Sequence, residues 1–110
     1  MKVLRIDHVQ QAEEELRKVK AEGINKMVAK AVFRVVKIDS VPQEKANIMK
    51  EEMLKAGGDV AISVDAWNKK NVSTDVLIFG TLKQYEDFFD GIDSKGMLNV
   101  SSQIKNLIVY

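Results

Sequence analysis

Cysteine is absent from the chain, and proline, histidine and tryptophan occur once each. Without cysteine there is no disulfide framework, no thiol nucleophile and no thiolate metal site, and the composition fits a reducing compartment. A single histidine, His8, rules out HExxH and every other paired-histidine metal motif, and no GxSxG turn is present. There is also no excess charge of either sign. The 17 basic and 16 acidic side chains leave a net charge of +1, and the densest basic spots, such as Lys69-Lys70, are two residues long. This gives little electrostatic draw toward nucleic acid or an anionic membrane, and neither is expected as a partner. No apolar run approaches the roughly 18 residues of a membrane span. The amino terminus turns polar by Arg5, so it carries no secretory h-region, and a cytoplasmic location is expected by default.

What remains is an ordinary globular composition, 45% hydrophobic and 30% charged over 110 residues. That length suits one domain, residues 1–110, able to bury a core without covalent or metal staples. No repeat, low-complexity tract or linker interrupts it. Residues 91–102, with two glycines and several polar side chains, read as a loose segment before the final element.

Residues 3–6 (VLRI) read as a short strand. Asp7 and Gln10 then stand at capping-box spacing ahead of a helix carrying Ala12, Leu16 and Val19, which Gly23 stops. Residues 29–38 (AKAVFRVVKI) are β-branched and apolar on both parities, which predicts a central strand covered on both faces. Ser40 and Gln43 form a second capping box, with Pro42 in the first turn. Ala46, Met49, Met53 and Ala56 give the following helix one apolar stripe, and Gly57-Gly58 end it.

Val60, Ile62 and Val64 alternate as a half-buried strand, and residues 65–73 read as a hairpin-length loop holding Trp67. Residues 75–79 (DVLIF) are a further strand. Thr81 and Gln84 make a third capping box, opening a helix with Leu82, Tyr85, Phe88 and Phe89 on its apolar side. The order is β-α-β-α-β-β-α, an α/β (α+β) layer arrangement with helices packed on a small mixed sheet. Residues 104–110 (IKNLIVY) suit either a strand, completing a ferredoxin-like β-α-β-β-α-β from residue 30 onward, or a helix with Leu98, Ile104, Leu107 and Ile108 inward.

Few residues point to chemistry. His8 has no second ligand or nucleophile beside it in sequence and sits at a helix start. Gly80-Thr81 joins a strand to a helix, where backbone N–H groups together with Lys83 could hold a phosphate or carboxylate. The run IFGTLKQ lacks the glycine density of a P-loop, and a tight turn with a capping threonine is the simpler reading. Glu13 to Glu15 and the pair Glu51-Glu52 precede basic residues at helical spacing, which predicts solvated ion pairs. Met49 and Met53 read as core filling. Asn47 reads as a bridge to backbone at a helix surface, and Ser73-Thr74-Asp75 as a strand start. Trp67, an indole in a polar loop, reads equally as an interface residue or as a lid folded on the sheet. No residue is assigned as catalytic, metal-binding or cofactor-binding, and no cofactor is expected.

Three blocks in order, ANIMKEEML (46–54), GGDVA (57–61) and TDVLIFGTLKQY (74–85), together with the strand before the first, resemble the amino-terminal domain that precedes the pterin-binding barrel in dihydropteroate synthases of anaerobic bacteria. The likeness covers half to two-thirds of the chain. It implies a domain that starts with a short strand and helix and ends in a helix. It further implies a non-catalytic accessory role in folate biosynthesis, with the transferase barrel as partner in cis or in trans. Packing on that barrel, homodimerisation and shaping access to the pterin site are the roles it leaves open. A (β/α)₈ barrel of about 250 residues does not fit in this chain. GMLNVSS (96–102) is similar to the GILNVTPDSF that opens such a barrel, but Ser101-Ser102-Gln103-Ile104-Lys105 replace the rest, and no role passes to Asn99. The alternative is a free-standing ferredoxin-like module binding a small anion at Gly80, Thr81 and Lys83.

Overall fold

Strand-forming residues pair into one antiparallel sheet, and amphipathic segments before, between and after the strands pack as helices over a single face of it. The computed structural model describes residues 1–64 and 72–108. Among these the elements are α1 (Val9–Lys18), α2 (Ile24–Ala31), β1 (Phe33–Pro42), α3 (Gln43–Ala56), β2 (Asp59–Ala61), β3 (Ser73–Thr81), α4 (Leu82–Asp93) and α5 (Leu98–Leu107). The class is α+β, with the sheet ordered β1-β3-β2 and both pairings antiparallel.

Register follows from the pleat, because successive side chains alternate between faces. Val36 lies opposite Ile78, which also lies opposite Val60. These three and Val76 are all buried under the helices. The core continues into α3 through Ala46, Met49 and Met53, which form the expected stripe, and into α4 through Leu82, Tyr85, Phe88 and Ile92. Gly57 ends α3 with φ of 100°, a left-handed cap that favours glycine, and Gly58 N donates to Met53 O. Gly58 itself lies so close to β3 that a Cβ there would sit 2.6 Å from the Phe79 carbonyl oxygen. The double glycine thus both turns the chain and seats β2 on its neighbour.

The Tyr85 hydroxyl crosses the core and reaches the carbonyls of Ile78 at 2.9 Å and Arg34 at 3.0 Å. Burial pushes this hydroxyl far above its ordinary value of 10, although the nearby Val36 backbone N–H and the Arg34 charge oppose the shift.

Several local expectations are corrected. Residues 3–6 form no strand, and the N-cap of α1 is His8 rather than Asp7. Gln11, not Gln10, reaches back, its Oε1 accepting from the backbone N–H of Asp7 and of His8. Gly23 caps the start of α2 instead of ending α1. Residues 29–31 belong to that helix, and β1, the proposed central strand, lies at a sheet edge. Ser40 belongs to β1 with φ of 54°, at a register shift between Ile38 and Val41, and its N–H donates to Asp75 Oδ1. It caps no helix. Pro42 is the N-cap of α3.

Val64 lies beyond β2 and is exposed. The sheet is antiparallel rather than mixed. At the carboxyl end the helix holds, with Ile104 and Ile108 buried but Leu98 and Leu107 exposed. Residues 91–102 are mostly helical. Gly91 to Asp93 complete α4, a turn passes through Gly96 at φ of 82°, and Ser101 Oγ donates to Asp93 Oδ1 at 2.5 Å.

Candidate functional site

Thr81 ends β3 and opens α4, and its cap is reciprocal. Gln84 N donates to Thr81 Oγ1 at 3.2 Å, while Thr81 N donates to Gln84 Oε1 at 2.8 Å. Leu82 N donates to the Val32 carbonyl at 2.9 Å. Three of the N–H groups that an anion would use at this helix start are therefore engaged within the chain. Gly80 is buried, with the Gln84 side chain occupying the space a Cβ would need. Lys83 points its ammonium group at Asp87 and Glu86, 3.4 and 3.7 Å away. The structure thus joins Gly80 and Thr81 to Gln84 and leaves the Lys83 ammonium among carboxylates.

Lys83 also lines a shallow groove with Lys26, Lys30, Asn25 and Glu86. The same groove continues between α1, α2 and α4 as a cavity of about 250 Å³, apolar at Val9, Val28, Ala29 and Leu82 and polar at Glu13, Asn25 and Glu86. Charges of both signs border it, so no single charge type of ligand is favoured.

The larger feature is the sheet face away from the helices. Odd-numbered residues of β1 before its register shift, and of β3, occupy it, with Val35 opposite Phe79 and Lys37 opposite Leu77, and β2 adds Asp59 beside Phe79 and Ala61 beside Leu77. Phe33, Val35 and Leu77 are 54%, 59% and 40% exposed. Exposed apolar side chains scattered singly are normal, but a contiguous set on one sheet face marks a contact surface. Charge enters this face at Lys37, Asp75 and Asp59. Asp59 accepts from Val60 N at 2.7 Å and from Lys50 Nζ at 3.1 Å. Those two donors hold its carboxyl below the ordinary range, so it stays ionised. Sequence reading missed this face because AKAVFRVVKI is apolar on both parities, which suggested two covered faces.

The remaining candidates separate. His8 caps α1, with no group of three metal-ligating side chains around it or elsewhere among the described residues. Glu13 and Glu15 make solvated pairs with Arg17 and Lys18. Glu52 departs from that pattern, being buried while bridged to Lys55 at 3.1 Å. Met49 and Met53 are core residues. Thr74 Oγ1 accepts from Ser63 N and donates to the Asp75 carbonyl, tying β3 to the chain after β2.

Asn47 Oδ1, and with it Gln43 Oε1 one turn earlier, is buried without a partner among the described residues. Sequence spacing offered no signal for that pair. Asn99 is exposed in the first turn of α5. Trp67 lies outside the described residues. Among those residues no helix is long and apolar enough to cross a membrane. No family model, curated protein or solved structure matches the chain.

Proposed function

We propose that this chain is a non-catalytic accessory domain of folate biosynthesis, and that the open face of its sheet packs against the pterin-binding barrel of a dihydropteroate synthase. The observation that carries the reading is the contiguous apolar surface of Phe33, Val35, Leu77 and Phe79. Such a surface gains most of its binding free energy by leaving water, at about 25 cal/mol per Å² of apolar area. The block resemblance over residues 46–85 supplies the identity of the partner, and the transferase chemistry resides in that barrel.

The test is calorimetric titration of the chain against a dihydropteroate synthase barrel encoded in the same genome. Binding is expected, and it should weaken at least about ten-fold in Val35→Asp and Leu77→Asp, because each places a charge in the apolar contact. Absence of binding at about 100 µM of each partner, or equal binding by the two variants, defeats the proposal.

A second reading, a free-standing small-ligand module, is favoured by one observation. The sheet order β1-β3-β2 is the order those three strands take in a ferredoxin-like sheet. Its test is titration with phosphate, pterin or amino acids, followed through the fluorescence of the single tryptophan. A saturable response that Lys83→Ala removes supports this module, and no response disfavours it.

A further inference from the structure

The sheet has two edges, and they are unequal. β2 is three residues long, and a very short edge strand offers little to pair with. β1 is ten residues long, and its outer side has no strand beside it among the described residues. Protection is concentrated at its far end, where Asp39, the register shift at Ser40 and Pro42 interrupt the ladder. From Phe33 to Ile38 only Arg34 and Lys37 interrupt an apolar β-forming run. Long exposed edges of this kind recruit another strand.

The chain also holds a strand-forming segment with no strand beside it among the described residues. Residues 2–5 (KVLR) belong to no helix or strand, and Val3 is 87% and Leu4 45% exposed, while Ile6 packs against the core. The root of this arm is fixed: Gln11 Oε1 accepts from the N–H groups of Asp7 and His8, and Arg34 Nη2 donates to the Asp7 carbonyl at 2.6 Å. Beyond that root, residues 2–5 are exposed and join no strand of their own sheet. Laid out as a strand, these four residues would span about 13 Å, enough to lie along β1 from Val36 to Asp39.

We infer that two copies of the chain associate by exchanging these arms, residues 2–5 of each adding a strand to the outer edge of the partner's β1. Alternation and charge choose the register. An antiparallel strand that sets Leu4 beside Lys37 on the open face sets Lys2 opposite Asp39. Asp39 is 76% exposed, and its one ion pair among the described residues is with Lys37 at 3.8 Å. Lys2 and Arg5 have no carboxylate within ion-pair distance among the described residues. Leu4 then extends the apolar strip begun by Phe33 and Val35. The inference does not rest on the barrel reading, since it uses the edge of the sheet and that reading uses its face.

The test is sedimentation equilibrium of the whole chain. A dimer is expected. Val3→Pro combined with Leu4→Pro, which withdraws adjacent N–H donors from the ladder, should raise the dissociation constant at least about ten-fold, and removal of residues 1–5 should do the same. Both should leave the far-UV circular dichroism of the body unchanged, because the arm lies outside the core. Lys2→Asp should weaken the dimer, and Lys2→Asp with Asp39→Lys should restore it. Mixed Leu4→Cys and Lys37→Cys chains should form a disulfide between copies. A monomer throughout the accessible concentration range overturns the inference, as does a dimer equally tight in the proline and truncated variants, or a charge swap that restores nothing. Barrel titration is unaffected by these arm variants, so the two proposals fail separately.

Discussion

Gly91 on α4 lies against the carboxylate of Glu52 on α3, so close that a Cβ at position 91 would sit 2.5 Å from Glu52 Oε2 and 3.2 Å from its Cγ. The two helices approach here because one contributes no side chain. Glu52 is only 7% exposed and its other side is held by Lys55, so its whole side chain must move to admit a methyl group. Ala in a helix interior gains about 1 kcal/mol over Gly, but overpacking costs about 1–3 kcal/mol. We predict that Gly91→Ala lowers stability by about 1 kcal/mol net, measured by urea unfolding. In Glu52→Ala the same change should turn stabilising, a coupling that a double-mutant cycle reads directly.

The cap that joins β3 to α4 makes a second prediction. Thr81 and Gln84 each satisfy the other's backbone N–H. Thr81→Ala should cost about 1 kcal/mol. Thr81→Ser keeps the hydroxyl and should cost less than half of that. Gln84→Ala should also destabilise, because it frees the Thr81 N–H and empties the space beside the buried Gly80. Thermal unfolding of the three variants checks the order.

This cap was legible from sequence because its signal is local: two side chains three residues apart, with geometry set by the helix itself. The stripe of Ala46, Met49 and Met53 and the glycine that ends α3 were legible for the same reason. β1 was not. Its residues are apolar on both parities, and whether the second face is covered depends on the number of helices and the layer they join, which no window of the sequence contains. The strand expected at residues 3–6 shows the same limit, since KVLRI has strand-forming chemistry and a strand also needs a neighbour.

The candidate site was legible only in part. Gly80 and Thr81 do meet at a helix start, but the Gln84 amide takes the place a ligand would occupy, and Lys83 faces Asp87 and Glu86 as i, i+3 and i, i+4 spacing on a helix allows. The open apolar face arises from pairing between residues 40 or more apart, Val35 with Phe79 and Lys37 with Leu77 in register, a separation at which spacing along the chain carries no information.

Asp59 gives a pH prediction. Its carboxylate accepts from Val60 N and Lys50 Nζ, and both depress its proton affinity in the folded state below the ordinary 3.8. The unfolded chain therefore binds a proton first as pH falls. The stabilisation is present above about pH 4 and is lost as pH drops through the lower folded value. Asp59→Asn should be less stable than the parent chain at about pH 6, and the gap should close by about pH 2. Thermal melts of both proteins across that range test it. A gap independent of pH means that the contribution is steric rather than ionic. Because Asp59 is partly exposed, salt should also narrow the gap.

Tyr85 titrates in the opposite sense. Its hydroxyl is buried and donates toward the carbonyls of Ile78 and Arg34, and burial raises its folded value above 10. The unfolded chain releases this proton first as pH rises, so the stability tied to the neutral phenol is complete below about pH 10 and declines above it. Tyr85→Phe removes both the hydrogen bond and the slope. At neutral pH the variant should lose about 1–2 kcal/mol, since two buried carbonyls lose a shared donor while the ring still fills its place beside Phe88 and Phe89. Above about pH 10 the parent chain should converge on the variant. Urea unfolding at both pH values checks this, and parallel losses in the two proteins would show that the phenol is not the group being titrated.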